Sequence, residues 1–368
     1  MSKLNEVISK INKEYGFNMI GGVEAKTKQY RKFTPTTPAL SYIFHGDMPR
    51  TIYILVGEYS SGKSSLSYMM CGAIQKKLKQ EWKDEIDELE QLSKPNKEQQ
   101  LRLSYLKERG HQRVAYLDIE FTSDEAWMSK NGVDVDDLIF IAPENQTAEQ
   151  LFQICLDLIA SDGIGYIVLD SVPALTSKLA QEKTMEDKTY GGISQPMSVF
   201  CSKLLPLCNK HSCGFTFIVQ PRDDMAGFNR VIYNGGKMMK HTASVIMYLR
   251  RGTLLDENYN ELKAHPELAN GNIVEIEVLK NKATKPDRRM CKLTIDYNNG
   301  IDGINDTIIM ACAMHIINKQ GSWYSIIDSN NIEHKWQGKA NMAKELKENK
   351  ELYKEVYDKV MGFIVKDG

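Results

Sequence analysis

Short apolar runs recur along the chain, separated by stretches of helical pattern. Thr51–Val56, Val114–Leu117, Leu138–Ile141, Tyr166–Leu169 and Phe215–Val219 are nearly continuous in apolar character, as strands buried on both faces of a parallel sheet are. Val245–Leu249 and the alternating Val274–Leu279 read as strands nearer the sheet edge, and the polar stretch from Leu254 to Asn272 reads as a loop. Ahead of the sheet, Leu4, Val7, Ile8 and Ile11 recur at helical spacing and predict an amphipathic helix over residues 3–14. Residues 76–110 interrupt the alternation. Trp82, Ile86, Leu89 and Leu92 form one stripe, Ser93-Lys94-Pro95-Asn96 breaks it, and Leu101, Tyr105 and Leu106 begin another. That pattern predicts a charged helical hairpin inserted before the second strand. From Gly303 the pattern becomes a small α+β tail that ends in a charged helix, about Asn341 to Phe363. The chain is therefore read as an arm (residues 1–35), an α/β core with a mostly parallel twisted sheet (36–302) and a small α+β domain (303–368).

Composition removes several alternatives. Forty-seven basic and forty-eight acidic residues leave a net charge of −1 in 368 residues, so a nucleic-acid site must be local. The seven cysteines lie mostly within apolar runs and form no C-x-x-C pair, so they read as core residues of a reduced cytoplasmic protein. The N-terminus begins no apolar signal core, and no apolar run reaches spanning length, so no membrane role is expected.

The first core strand leads into Gly57-Glu58-Tyr59-Ser60-Ser61-Gly62-Lys63-Ser64, which fits G-x-x-x-x-G-K-[ST] in the strand–loop–helix setting that motif requires. Glycine-rich backbone brings N–H groups onto phosphate oxygens at a helix N-terminus. Gly57, Glu58, Ser60, Ser61, Gly62, Lys63, Ser64 and Ser65 are the candidate nucleoside-triphosphate contacts, with Lys63 on the β/γ-phosphates and the Ser64 hydroxyl on Mg²⁺. In an open parallel sheet the ligand lies beyond the carboxyl ends of the strands. Three further strands end in Asp118-Ile119-Glu120, Asp170-Ser171 and Gln220. Asp170 suits a carboxylate that holds the same Mg²⁺ beside Ser64, Glu120 the activation of water, and Gln220 a contact with the γ-phosphate.

Two segments after these strand ends mix basic, aromatic and glycine residues, the chemistry of single-strand binding. The first, Ala180 to Pro196, holds Lys183, Lys188, Tyr190 and Gly191; the second, from Pro221, holds Arg222, Met225, Phe228, Arg230, Tyr233, Gly235, Gly236 and Lys237.

Glu58 to Ser64, Leu117-Asp118-Ile119-Glu120, Val168 to Thr176, Asn281-Lys282, and Trp323-Tyr324-Ser325 through Asn341 stand in the order found in RecA-type recombinases, and the chain resembles that family from its N-terminal helix to near its C-terminus. The resemblance implies a RecA-like P-loop fold in which Glu120 is the catalytic glutamate and Gln220 the γ-phosphate sensor. It also implies that Asp124, Trp127 and Tyr297 contact the nucleotide. Lys280 and Lys282 would reach the triphosphate of the neighbouring protomer, and the N-terminal helix would be an oligomerisation arm. Lys240 would join the second DNA loop, and Lys319 and Lys339 would contact duplex DNA. His241 stands where the family usually has an aromatic residue, Gln195 and Ser202 where it is usually basic, and no acidic tail follows Gly362. These departures and the 76–110 insertion suggest a divergent, phage-encoded member in a bacterial or phage-infected cytoplasm.

The implied activity is that of an ATP- and Mg²⁺-dependent recombinase. It would form a helical homo-oligomeric filament on single-stranded DNA and exchange strands with homologous duplex DNA, with single-strand-binding and loader proteins as further candidate partners. A helicase-like motor on the same core and an ATP-gated single-strand-binding mediator are the alternatives. Glu120 speaks against the mediator, and the arm with the Trp323 domain speaks against the motor.

Overall fold

A computed structural model describes residues 30–182, 192–222, 232–233 and 235–366, together with positions 6, 7, 9, 10 and 13. The chain divides into two compact units, Met1–Arg31 and Lys32–Gly368. In the first, the described positions 6, 7, 9, 10 and 13 are helical, as the spacing predicts; Leu4, Ile8 and Ile11 lie outside the described residues.

The second unit is built on a ten-stranded sheet. Its strands in chain order are β1 (Ile52–Gly57), β2 (Arg113–Asp118), β3 (Leu138–Ile141), β4 (Ile164–Asp170), β5 (Gly214–Val219), β6 (Val245–Leu255), β7 (Glu261–Leu262), β8 (Gly271–Asn281), β9 (Met290–Asp296) and β10 (Gly300–Ile301). The spatial order is β10-β9-β8-β6-β1-β5-β4-β2-β3, with β7 paired to β6. From β6 to β3 the pairing is parallel, and from β6 through β8 and β9 to β10 it is antiparallel.

Alternation along β1 shows why the runs are apolar throughout. Tyr53 and Leu55 enter the core that holds the helix Lys63–Glu90, while Ile52, Ile54 and Val56 enter the one under helices Ala148–Ala160 and Ser194–His211. Side chains of successive residues leave a strand on opposite faces, so covering both faces demands apolar residues at every position.

Four elements depart from the sequence pattern. Val245–Leu249 is an interior strand, paired on both sides, and it continues to Leu255 through part of the expected loop. Leu138–Ile141 is the edge strand instead, with Phe140 48 % exposed. The first arm of the expected hairpin is continuous with the helix that begins at Lys63, giving one helix to Glu90. A second helix, Lys97–Arg109, returns along it after an Asn96–Gln99 capping box. Trp82 Nε1 donates to the Leu106 carbonyl at 2.8 Å, and Arg102 forks onto Glu85 at 2.7 and 3.1 Å. Finally, the terminal helix is two helices, Lys339–Glu348 and Lys350–Lys366, parted at Asn349. Asn349 is out of helical range at φ −96° and ψ 86°, and its side chain accepts from Leu352 N to start the next helix.

The C-terminal region adds an antiparallel sheet of β11 (Asn318–Gln320), β12 (Trp323–Ile327) and β13 (Glu333–Gln337). Tyr324, Ile326 and Trp336 pack with Leu346, Val356 and Val360 into a third core.

Candidate nucleotide site at the strand ends

The phosphate loop joins β1 to the helix Lys63–Glu90. Two glycines are required by contact. A Cβ on Gly57 would stand 2.4 Å from Ser61 Oγ and 2.6 Å from the Leu249 carbonyl oxygen, and Gly62 caps the helix at φ +85°. Gly62 supplies no side-chain cap, so first-turn N–H groups remain for an anion, helped by the helix dipole. Glu58 and Ser60 are exposed, whereas Ser61, Lys63 and Ser65 are buried. Lys63 Nζ donates to the Glu58 carbonyl at 2.6 Å and lies 3.5 Å from Ser61 Oγ. Burial pushes this ammonium below its ordinary pKa, opposed by the charges of Asp170, Glu120 and Glu58.

Asp118 and Asp170 are register partners at the ends of β2 and β4. Asp170 Oδ2 accepts from Ser64 Oγ at 2.8 Å and from Tyr116 OH at 2.7 Å. Burial raises its pKa, while those two hydrogen bonds act against the rise. The peptide bond from Asp170 to Ser171 is cis. Ser171 Oγ donates to Glu120 Oε1, and Gln220 Nε2 reaches the same oxygen at 3.5 Å. Thus Ser64, Asp170, Glu120 and Gln220, read from four separate strand ends, form one connected edge.

A serine hydroxyl already bonded to an aspartate is the donor pair expected for an oxygen-coordinated Mg²⁺, and an uncapped helix start over a glycine loop fits a phosphate chain. Among the described residues no three His, Cys, Asp or Glu side chains converge as a metal site, so phosphate and water oxygens would complete the shell of an ion held here. No helix of the described residues is long and apolar enough to cross a membrane.

The other candidate residues flank this edge, lie elsewhere in the fold or fall outside the description; Lys280 and Lys282 stand toward the opposite end of the sheet, where β8 ends beside the start of β6. Asp124 caps helix Glu125–Lys130 by accepting from Trp127 N at 2.6 Å, and Trp127 Nε1 donates to Ser65 Oγ at 3.0 Å. Tyr297 OH accepts from Arg251 at 3.0 Å. Lys280 Nζ donates to the carbonyls of Lys240, His241 and Ala243 at 2.6, 3.2 and 2.5 Å, closing the C-terminus of helix Gly236–Thr242. Burial lowers the pKa of Lys280, with Lys282 adding to the effect, and burial also lowers that of Lys240. Lys282 and His241 are exposed, as are Gln195 and Ser202 on helix Ser194–His211. Lys183, Lys188, Tyr190, Gly191, Met225, Phe228 and Arg230 lie outside the described residues, and only the backbone is described at Arg222 and Tyr233. The inner ends of both segments do meet: a Cβ on Gly236 would lie 3.7 Å from Ser194 Cβ. Gly235 has φ +110° and Lys237 is exposed in the first turn of the following helix. In the C-terminal region, Lys319 is exposed and stands 5.5 Å from the Tyr324 ring, while Lys339 is half-buried over Tyr259, also at 5.5 Å. Burial lowers the pKa of Lys339.

Sequence reasoning passed over Tyr116, Tyr68, Ser123 and Ser171. Only Ser171 carried a signal, its place beside the strand-end aspartate; the tyrosines read as core.

The model of the RecA N-terminal domain matches residues 100–302, and that of the RecA C-terminal domain matches residues 305–364. The chain belongs to the RecA family. It is similar to Protein RecA of Clostridioides difficile (strain 630), 32 % identical over 252 residues that cover 68 % of each chain. It is also similar to Protein RecA of Listeria monocytogenes serotype 4a (strain HCC23) and of Listeria innocua serovar 6a, both 31 % identical over 249 residues and 67 % of each chain. Membership of the RecA family makes it a RecA-type recombinase of DNA recombination and repair, in a family of DNA-dependent ATPases that use Mg²⁺.

Proposed function

We propose that this chain hydrolyses ATP as part of a filament on single-stranded DNA and uses the bound nucleotide to control pairing and strand exchange. The observation that carries the reading is the contact of Gln220 with Glu120. It joins the carboxylate suited to water activation to the residue from which the second DNA segment departs.

In this reading the N–H groups of the loop and Lys63 bind the phosphates, and Ser64 with Asp170 holds Mg²⁺, which neutralises phosphate charge when bound. Glu120 orients water and accepts its proton. Gln220 exchanges its bond to Glu120 for the γ-phosphate and so transmits the presence of ATP to the segment that follows. Asp124, Trp127 and Tyr297 form the base side of the site. Lys280 and Lys282 act on the ATP of an adjacent protomer, and Lys280 leaves the helix end it closes here to do so. Lys183, Lys188, Tyr190, Gly191 and the second segment with Lys240 hold the single strand, and Lys319 and Lys339 meet the duplex. For Lys339 that requires its release from Tyr259.

The test is strand exchange between circular single-stranded and linear duplex DNA, with phosphate release followed in parallel. Joint molecules that depend on ATP and on homology are expected. Unwinding without joint molecules would point to a motor, and ATP-promoted binding without turnover to a mediator.

A further inference from the structure

Tyr116 sits in the middle of β2 between Ala115 and Leu117, and all three are fully buried. A phenol hydroxyl in such a place needs a partner, because one left unpaired forfeits its bonds to water without replacing them. It has a single proton to give. Asp170 cannot donate as a carboxylate, so that proton goes to Asp170 Oδ2 at 2.7 Å. Ser67 Oγ also lies 3.3 Å from the phenol, but it spends its own proton on the Ser64 carbonyl at 2.8 Å. Asp170 Oδ2 is therefore held between Tyr116 and Ser64.

The next layer is continuous with this one. Tyr68, on the phosphate-loop helix, packs its ring 5.1 Å from that of Tyr116. Its hydroxyl donates to Ser123 Oγ at 3.0 Å, and Ser123 N donates to Asp118 Oδ2 at 2.9 Å. At the other end of the same loop, Ile119 N donates to the Asp170 carbonyl at 2.6 Å. The segment from Ile119 to Ser123, which carries Glu120, is thus fastened at one end to the Asp170 backbone and at the other to Asp118 and Tyr68.

We propose that Tyr116 and Tyr68 are positioning residues of the hydrolytic site. Tyr116 fixes the Asp170 carboxylate for the metal, and Tyr68 acting through Ser123 fixes the loop that aims Glu120. The proposal rests on Asp170 as the metal carboxylate and Glu120 as the catalytic one. Groups behind a metal ligand commonly change metal affinity or activity by about 10- to 100-fold when removed, and two residues acting through one contact give non-additive effects.

The experiment uses full-length Y116F, Y68F, S123A and Y68F/S123A with single-stranded DNA, measuring ATPase against Mg²⁺ and against ATP, with thermal melting alongside. For Y116F the half-saturating Mg²⁺ concentration is expected to rise about tenfold, with KM for ATP at saturating Mg²⁺ little changed. For Y68F and S123A, kcat is expected to fall about tenfold with the Mg²⁺ midpoint unmoved, and the double variant to be no worse than either single one. A lowered melting temperature with wild-type Mg²⁺ and kcat values would overturn the proposal, as would additive losses in the double variant. D170N separates the metal carboxylate from the phenol behind it. An unchanged Mg²⁺ dependence in D170N removes Asp170 as metal carboxylate, whereas a loss in D170N beside a wild-type Y116F removes only the role of the phenol.

Discussion

In the proposed reaction Glu120 is the residue on which the chemistry turns. It is held by Ser171 and touched by Gln220, and its removal is expected to separate binding from turnover. In Glu120→Gln, kcat should fall by about 10²-fold or more, the usual weight of a general base. ATP-promoted binding of a labelled single strand, read by fluorescence anisotropy, should persist. Gln220→Ala should bind ATP yet show the same DNA affinity with and without a non-hydrolysable analogue; ATP-tightened binding in this variant would break the proposed link. A different buried carboxyl adds a pH dependence to folding. Asp306 lies where β9 meets helix Gly303–Ala313, accepting from Thr37 Oγ1 at 2.8 Å and from Thr294 N at 2.9 Å. Burial pushes its pKa up to about 7, only partly offset by those hydrogen bonds. Because the folded pKa lies above the ordinary 3.8, the folded state binds the extra proton between the two values. This group's contribution is most favourable below about pH 4 and falls as pH rises to 7, by at most about 1.4 kcal/mol per pH unit. Urea unfolding at pH 5 and 7.5 should show that loss in the wild type and a smaller one in Asp306→Asn. These residues differ in how far the sequence revealed them. Lys63, Ser64 and Asp170 were legible because motif and strand end dictate residue type. Tyr116 was not, since a tyrosine in an apolar strand has the same pattern whether or not its hydroxyl finds a carboxylate. Nor could spacing foresee that Lys280 closes a helix.

At the scale of elements, close backbone approach decides more than propensity does. The helix Lys63–Glu90 passes so near the turn after Lys130 that a Cβ on Gly72 would come within 2.1 Å of the Gly132 carbonyl oxygen. Gly72→Ala improves helix propensity by about 1 kcal/mol, but the clash is with backbone, and overpacking of this kind costs about 1–3 kcal/mol or more. A net loss of stability is expected in urea unfolding, despite the better helix former. The same logic explains what the sequence pattern misassigned. A break at Ser93-Lys94-Pro95-Asn96 marks the hairpin turn correctly, yet nothing in residues 63–90 marks where a core helix stops being covered, because the helix does not stop. Val245–Leu249 stands in the sequence beside the alternating β8 as a strand nearer the edge, yet it is interior. That alternation reflects partial exposure of one face of β8, which is itself paired on both sides.

For the whole molecule, the central proposal is an ATP site shared between protomers. Mixing two inactive variants tests it. A Lys282→Ala chain keeps its own Glu120, and a Glu120→Gln chain keeps its lysine. A 1:1 mixture should hydrolyse ATP faster than the average of the two proteins measured apart. A rate equal to that average would mean each chain carries a complete site. The long helix has a separate consequence. With 28 residues at 1.5 Å each, it spans about 42 Å from the phosphate loop to Glu90. Arg50, just before β1, pairs with Glu81 at 3.2 Å, so the turns beyond Glu81 project past the opening end of the sheet, opposite the nucleotide edge. This makes the turn at Ser93–Asn96 a mounting point: a dye or a grafted domain attached there is joined through one continuous helix to the loop proposed to hold phosphate, yet stands well clear of it.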